Sequence, residues 1–178
     1  RKNYIKASNI ALFDEDYALY QQAKCSGLLS DYKHQEKVLL KIEKNFRNSP
    51  YVPKSLLDLA NLYKNINESD KALNYYDKIL NSSSDEEILS SSIINKGLIY
   101  FSSGDYKQSI TLMKKIIIDY PKSNSFKGAK TALQDAYVKL GDINEYLYFI
   151  NTIPEKKNAF RTRFERIPQI VFINLEKY

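Results

Sequence analysis

The sequence has no tryptophan, one cysteine, one histidine and one methionine, and it holds only five glycines and five prolines. A single thiol, Cys25, excludes an internal disulfide and any site built from several thiolates. The one histidine, His34, lies among polar residues, which disfavours a metal-binding or catalytic role. The scarcity of glycine and proline favours helices with few interruptions.

The chain also lacks several features that would indicate a membrane protein or an enzyme. No run of 18 apolar residues is present, so no membrane-spanning helix is predicted. Neither a GxxxxGK[ST] phosphate loop nor an HExxH metal motif occurs. Acidic clusters at residues 14–16 and 85–87 are predicted to lie at helix starts, where carboxylates complement the helix dipole. We therefore predict a chain that is not an enzyme and has no cofactor, catalytic or metal site.

Turn signals, in contrast, recur along the chain at regular intervals. Short Ser-Asp and Gly-Asp sequences contain Asp31, Asp70, Asp105 and Asp142, which are 39, 35 and 37 residues apart. A spacing of this size is typical of a repeat array. Because a short carboxylate accepts the unpaired amide protons of a first helical turn, each aspartate is predicted to cap a helix.

Between these signals, apolar residues recur at intervals of three and four, which predicts amphipathic helices. Val38, Leu39, Ile42 and Phe46, for example, share one helical face. In the stretches GLIYFSSGDY and LGDINEY, the glycine gives the backbone freedom for a tight turn and the aspartate starts the next helix. The predicted fold class is all-α, an α-solenoid of stacked antiparallel helix hairpins.

This pattern resembles the tetratricopeptide repeat, in which small, aromatic and proline residues recur at fixed positions. One unit in the middle of the chain matches the pattern at Gly97, Tyr100, Gly104, Tyr106 and Pro121. The unit before it matches at Leu59, Ala60, Tyr63, Ala72 and Tyr76. The tyrosines at these positions, and Tyr137 in the following unit, are predicted to lie in the core.

The same resemblance divides the chain into three parts. We interpret residues 1–13 as the end of a helix from a preceding repeat and residues 14–154 as about four units. Residues 155–178 break the pattern and carry six basic and three acidic residues. They are predicted to cap the array, or else to dock on another subunit or peripherally on a membrane surface.

The resemblance also implies a concave surface, lined by the first helix of each unit, that binds a peptide or protein partner. The residues predicted to line it are Tyr17, Tyr20, Lys24, Lys54, Asn61, Lys64, Asn65, Asn95, Phe101, Asp135 and Lys139. Some family members hold a C-terminal carboxylate with a clamp of lysine and asparagine side chains. Lys54, Asn61 and Asn95 match that clamp in part, but Leu57 stands where the clamp has a lysine. An ordinary polar groove is therefore the preferred interpretation.

The stretches DYALYQQA, NSPYVPKSLLDLANLY and GDINEYLYFINTIPE are similar to large multi-repeat tetratricopeptide proteins of Bacteroidota-type bacteria. Those proteins are commonly exported to the periplasm or the outer-membrane face, and relatives act in envelope assembly and secretion. The resemblance thus implies a scaffold for protein–protein interaction in the bacterial envelope.

The alternative hypothesis is a helical repeat protein that binds nucleic acid, since the net charge is +6. A nucleic-acid interface gathers its basic residues into a stripe with exposed aromatic residues between them. Here Lys37, Lys41 and Lys44 are mixed with Glu36 and Glu43 on one predicted helix. The sequence therefore favours a protein partner.

Overall fold

The computed structural model describes residues 2–153, with side chains from residue 15 onward, and this part of the chain is helical without any strand. Its helices are α1 (Lys2–Leu28), α2 (Tyr32–Asn45), α3 (Val52–Asn65), α4 (Ser69–Ser82), α5 (Glu86–Ser102), α6 (Tyr106–Asp119), α7 (Phe126–Leu140) and α8 (Ile143–Thr152). The prediction of an all-α fold is confirmed. The predicted capping or docking segment, residues 155–178, lies outside the described residues.

Each helix packs against the next one along the chain, so that the eight helices form four hairpins, α1–α2, α3–α4, α5–α6 and α7–α8. The first helices of successive hairpins also contact one another, α3 with α5 and α5 with α7. Within the described range, successive second helices do not approach as closely. The stack therefore curves, and its first helices line the concave side. This is the solenoid that the repeat pattern predicts.

The tight turn inside each hairpin has the same backbone geometry in all four units. One residue lies in the left-handed region, with φ from 59° to 85°, and these residues are Ser30, Asn67, Gly104 and Gly141. Each of them follows the previous one by 37 residues, so the unit has a constant length. In three hairpins the next residue, an aspartate, caps the second helix through its carboxylate, as predicted for Asp31, Asp105 and Asp142.

The predicted cap at Asp70 is wrong. Helix α4 begins at Ser69, and its N-cap residue is Glu68, whose side chain makes no capping hydrogen bond. The turn is placed by Asn67, because asparagine tolerates the left-handed region better than most other residues. Asp70 therefore lies inside the first turn of α4, and the unequal spacings of 39 and 35 residues result from this shift of two positions.

The two acidic clusters differ in their location. Asp85 caps α5 by accepting hydrogen bonds from the amides of Glu87 and Ile88, as predicted for residues 85–87. Residues 14–16 do not begin a helix, because α1 runs without a break from Lys2 to Leu28. The predicted boundary at residue 13 thus falls inside α1, and the assignment of residues 1–13 to a preceding repeat stays a prediction.

Small residues mark where the paired helices approach most closely. Ala23 and Ala60 are fully buried, and Gly97 is buried at the equivalent position of the third hairpin. Tyr63, Tyr76 and Tyr137 are buried in the core as predicted. Tyr100 and Tyr106, predicted to lie in the core as well, are only partly buried.

Substitutions in the tight turns are expected to shift stability in opposite directions. Gly141→Ala should lower the free energy of unfolding by about 1 kcal/mol, because an L-residue is strained in the left-handed region. A Cβ at Gly141 meets no atom of the described residues within 4 Å, so backbone strain accounts for the expected loss. Ser30→Gly relieves the same strain and should raise the melting temperature. Thermal unfolding of both variants checks this, and shifts of the same sign would contradict it.

Candidate functional site

The concave groove is the inner surface formed by α1, α3, α5 and α7. All the residues predicted to line it lie on these four helices, and none of them is buried. Tyr17, Tyr20 and Lys24 lie on α1; Lys54, Asn61, Lys64 and Asn65 on α3; Asn95 and Phe101 on α5; and Asp135 and Lys139 on α7. The first helices thus carry a mixture of polar, cationic and aromatic groups.

The 37-residue interval aligns equivalent positions of successive first helices. One row across the groove consists of Lys24, Asn61, Leu98 and Asp135. Leu98 was not among the predicted residues, but its side chain is 36% exposed in the middle of this row. The groove therefore offers an apolar contact on α5 between polar residues on α3 and α7.

A pocket of about 260 Å³ lies where α1 and α3 meet the start of α2. Its lining includes Lys24, Leu28, Tyr32, Gln35, Asp58, Asn61 and Asn65. Lys24, Asn61 and Asn65 were predicted from the repeat pattern. Asp58 and Gln35 were missed, and so were Leu28 and Tyr32, which add apolar surface that is 86% and 42% exposed.

Asp58 is the charged group set deepest in this pocket. Its side chain is only 18% exposed, and its Oδ2 atom accepts no hydrogen bond from any residue that the structure describes. Burial raises the pKa of Asp58. The Lys24 ammonium and the Tyr20 hydroxyl favour the ionised carboxylate, but they do not offset the burial. The Lys24 Nζ atom lies 3.9 Å from Oδ2, which is beyond hydrogen-bonding distance.

Tyr20 connects this pocket with an aromatic cluster. Its pKa is raised, first by burial and then by the neighbouring Asp58 carboxylate. The Tyr20 ring stacks on Tyr51, with ring centroids 5.3 Å apart, and the Tyr17 ring lies 5.6 Å from Tyr51. Tyr51 precedes α3 and was not predicted. Because Tyr17 remains 46% exposed, the cluster offers an aromatic surface beside the pocket.

A second polar contact joins α3 and α5. Lys64 Nζ donates a hydrogen bond to Asn95 Oδ1 at 2.5 Å, and Asn95 Nδ2 donates to the carbonyl oxygen of Ser91 at 2.8 Å. Burial lowers the pKa of Lys64, and no carboxylate of the described residues forms an ion pair with it.

The three residues that match the carboxylate clamp in part are placed differently from one another. Asn95 is held by Lys64 and Ser91. Asn61 Oδ1 accepts a hydrogen bond from the Tyr76 hydroxyl at 2.7 Å, which leaves its amide nitrogen for a ligand. Lys54 is exposed on α3. This arrangement fits a polar groove better than a dedicated clamp.

Outside the groove, several lysines form ion pairs with neighbouring carboxylates. Lys41 on α2 lies 3.0 Å from Glu15 on α1, and Lys71 on α4 lies 2.5 Å from Glu68. Lys78 on α4 pairs with Glu43 on α2. These pairs neutralise part of the basic charge on the second helices.

Residues 15–153 contain no group of three or more histidine, cysteine, aspartate or glutamate side chains placed to hold a metal ion. Among the described helices, none is both long and apolar enough to cross a membrane.

Two segments of the chain match family models. Residues 53–86 and residues 92–123 each match a model of the tetratricopeptide repeat. They correspond to the hairpins α3–α4 and α5–α6, where the sequence pattern is most complete. No curated protein matches the chain at a significant level of sequence similarity.

Proposed function

We propose that this chain, which is a tetratricopeptide repeat protein, is a non-catalytic scaffold that binds a peptide segment of a protein partner in its concave groove. Repeats of this family generally bind proteins or peptides. The observation that carries the proposal is the surface of the first helices. It combines an open pocket, the apolar Leu98 and the amide side chains of Asn61 and Asn65, which suits a peptide backbone and its side chains.

The biological setting is a further part of this proposal. Three stretches of the sequence resemble the multi-repeat proteins of Bacteroidota-type bacteria, and from this resemblance we infer a role in envelope assembly or secretion, in the periplasm or at the outer-membrane face. Residues 155–178, with their basic and apolar side chains, would then provide a peripheral contact with a membrane or another subunit.

The distribution of charge favours a protein over a nucleic acid as the partner. Lys41 and Lys78 on the second helices are paired with Glu15 and Glu43. Binding to a phosphate backbone requires lysines or arginines that follow the strand and neutralise successive phosphates. The paired lysines of α2 and α4 do not form such a stripe.

The test is a selection of binding peptides from a random library, followed by titration of a labelled peptide against two variants. Leu98→Arg places a long cationic side chain in the middle of the groove and should weaken binding at least tenfold. Ile118→Arg is the matched control, because Ile118 is 61% exposed on the second helix α6. It should bind like the parent.

Both substituted side chains are at least partly exposed, so both variants should fold, and circular dichroism checks this. Equal binding by the parent and by Leu98→Arg would show that the groove is not the binding surface. Loss of binding in Ile118→Arg alone would place the site on the convex side.

A further inference from the structure

We propose that the pocket between α1 and α3 binds a side-chain carboxamide, that of a glutamine or asparagine in the partner peptide. This inference rests on the proposed function, because the peptide has to lie in the concave groove. It adds a chemical preference at one defined position of that groove.

Lys24 and Asp58 form an ion pair without a hydrogen bond between them. The Lys24 ammonium and the Asp58 carboxylate lie 3.9 Å apart, too far for a hydrogen bond, and Asp58 Oδ2 is buried beneath the lysine without a hydrogen-bond donor among residues 15–153. A carboxamide has both groups that this pair lacks, an acceptor oxygen and an N–H donor. Its oxygen would accept from the Lys24 ammonium, and its N–H group would donate to the Asp58 carboxylate.

Lys24 can adjust its side chain to a ligand. Its side chain is 50% exposed, whereas Asp58 is only 18% exposed and is held between two helices. The lysine can therefore swing outward while the carboxylate stays in place. Insertion between the two residues breaks no hydrogen bond between Lys24 and Asp58, because this ion pair does not contain one.

The lining of the pocket provides both apolar surface and hydrogen-bonding groups. A volume of about 260 Å³ accommodates one side chain of moderate size. Leu28 and Tyr32 provide apolar surface for its methylene groups, and the amides of Gln35 and Asn65 provide further hydrogen-bonding groups. The pocket thus matches a side chain with a short apolar stem and a neutral, bifunctional polar end.

Charged or apolar residues of similar size fit this pair less well. A glutamate would bring a second carboxylate next to Asp58, and a lysine would bring a second ammonium next to Lys24. A leucine would cover both charged groups without offering a hydrogen bond to either, which costs free energy in a partly buried site. The pair therefore selects a neutral polar side chain.

The experiment uses peptides obtained by the selection described above. We expect them to be enriched in glutamine or asparagine at one position. Labelled versions of one peptide, with glutamine, glutamate, lysine or leucine at that position, are then titrated against the full chain. The parent should bind the glutamine peptide about tenfold more tightly than the other three, as a difference of one or two hydrogen bonds would give.

Two variants should reverse this preference in opposite directions. Asp58→Asn leaves Lys24 as the only charge of the pair, so the glutamate peptide should become the tightest ligand. Lys24→Met leaves Asp58 as the only charge of the pair, so the lysine peptide should become the tightest ligand. Lys115→Met is the control, because Lys115 is exposed on α6, and it should keep the preference of the parent.

Both variants are expected to fold. Asp58→Asn removes a partly desolvated charge, and Lys24→Met alters a half-exposed side chain. If one of them fails to fold, the other still tests the preference for a carboxamide. If the parent shows no preference for the glutamine peptide, or if neither variant changes that preference, the inference is wrong. The proposed function would still stand in that case, provided that binding is weakened by Leu98→Arg. If binding does not depend on Leu98, the proposed function itself fails.

Discussion

Tyr76→Ala is expected to lower the free energy of unfolding by about 3–5 kcal/mol, the range for removal of a large aromatic side chain from a core. Tyr76 is fully buried on α4, in the cluster that also contains Leu59 and Ile79. Its hydroxyl donates a hydrogen bond to Asn61 Oδ1 on α3. The substitution therefore leaves a cavity between the two helices and removes a bond that joins them.

Tyr76→Phe separates these two contributions. It keeps the ring and removes the hydroxyl, so it should cost about 1 kcal/mol, as for the loss of one hydrogen bond. Urea unfolding of both variants gives the two values. A Tyr76→Ala variant whose stability lies within 1 kcal/mol of the parent's would show that α3 and α4 are not packed as described.

Gly97→Leu is the second substitution with a large expected effect. A Cβ atom at Gly97 would clash with the terminal methyl group of Met113 and lie 3.4 Å from the Cβ atom of Leu112, both on α6. Met113 is itself fully buried and has little room to move. The added side chain should therefore separate α5 from α6 and cost about 1–3 kcal/mol, as in other overpacked cores.

Gly128→Leu provides the matched control on α7. Gly128 is exposed, and within the described part of the chain the only atom close to a Cβ there is the terminal Cδ1 of Ile94, at 2.9 Å, which belongs to a flexible side chain. The higher helix propensity of leucine should then offset the local adjustment. If Gly97→Leu melts at the temperature of Gly128→Leu or higher, the close approach of α5 and α6 is not needed for stability.

The fold could be predicted from the sequence because its signals are local. A glycine followed by an aspartate specifies a turn and a helix start by its own chemistry, and this holds at Gly104 and Gly141. The α3–α4 turn was misplaced because Asn67 forms the left-handed turn residue and Glu68 occupies the N-cap position without a capping hydrogen bond, a weaker signal than the neighbouring Ser69 and Asp70. The other three left-handed turn residues are spaced by multiples of 37 residues, and applying this interval to the sequence would have placed the α3–α4 turn at Asn67.

The groove was predicted less completely than the fold. The positions of Lys24 and Asn61 in the groove follow from the repeat pattern. The place of Asp58 in the pocket depends on which side chains of α1 face it, and the sequence of α3 alone does not indicate them. The same interval offers a signal for it, since Asp58 is equivalent to Asn95. Leu98, likewise, is equivalent to Asn61, although an isolated leucine in a helix is usually assigned to the core.

The most direct test of the central claim is to map the contact surface of a bound peptide by NMR. The backbone amide signals of the chain are compared with and without a peptide from the selection. Binding in the concave groove predicts that the largest shifts occur on α3 and α5, around Asp58, Asn61, Asn95 and Leu98. Shifts concentrated on the second helices α2, α4 and α6, with α3 and α5 unchanged, would contradict it.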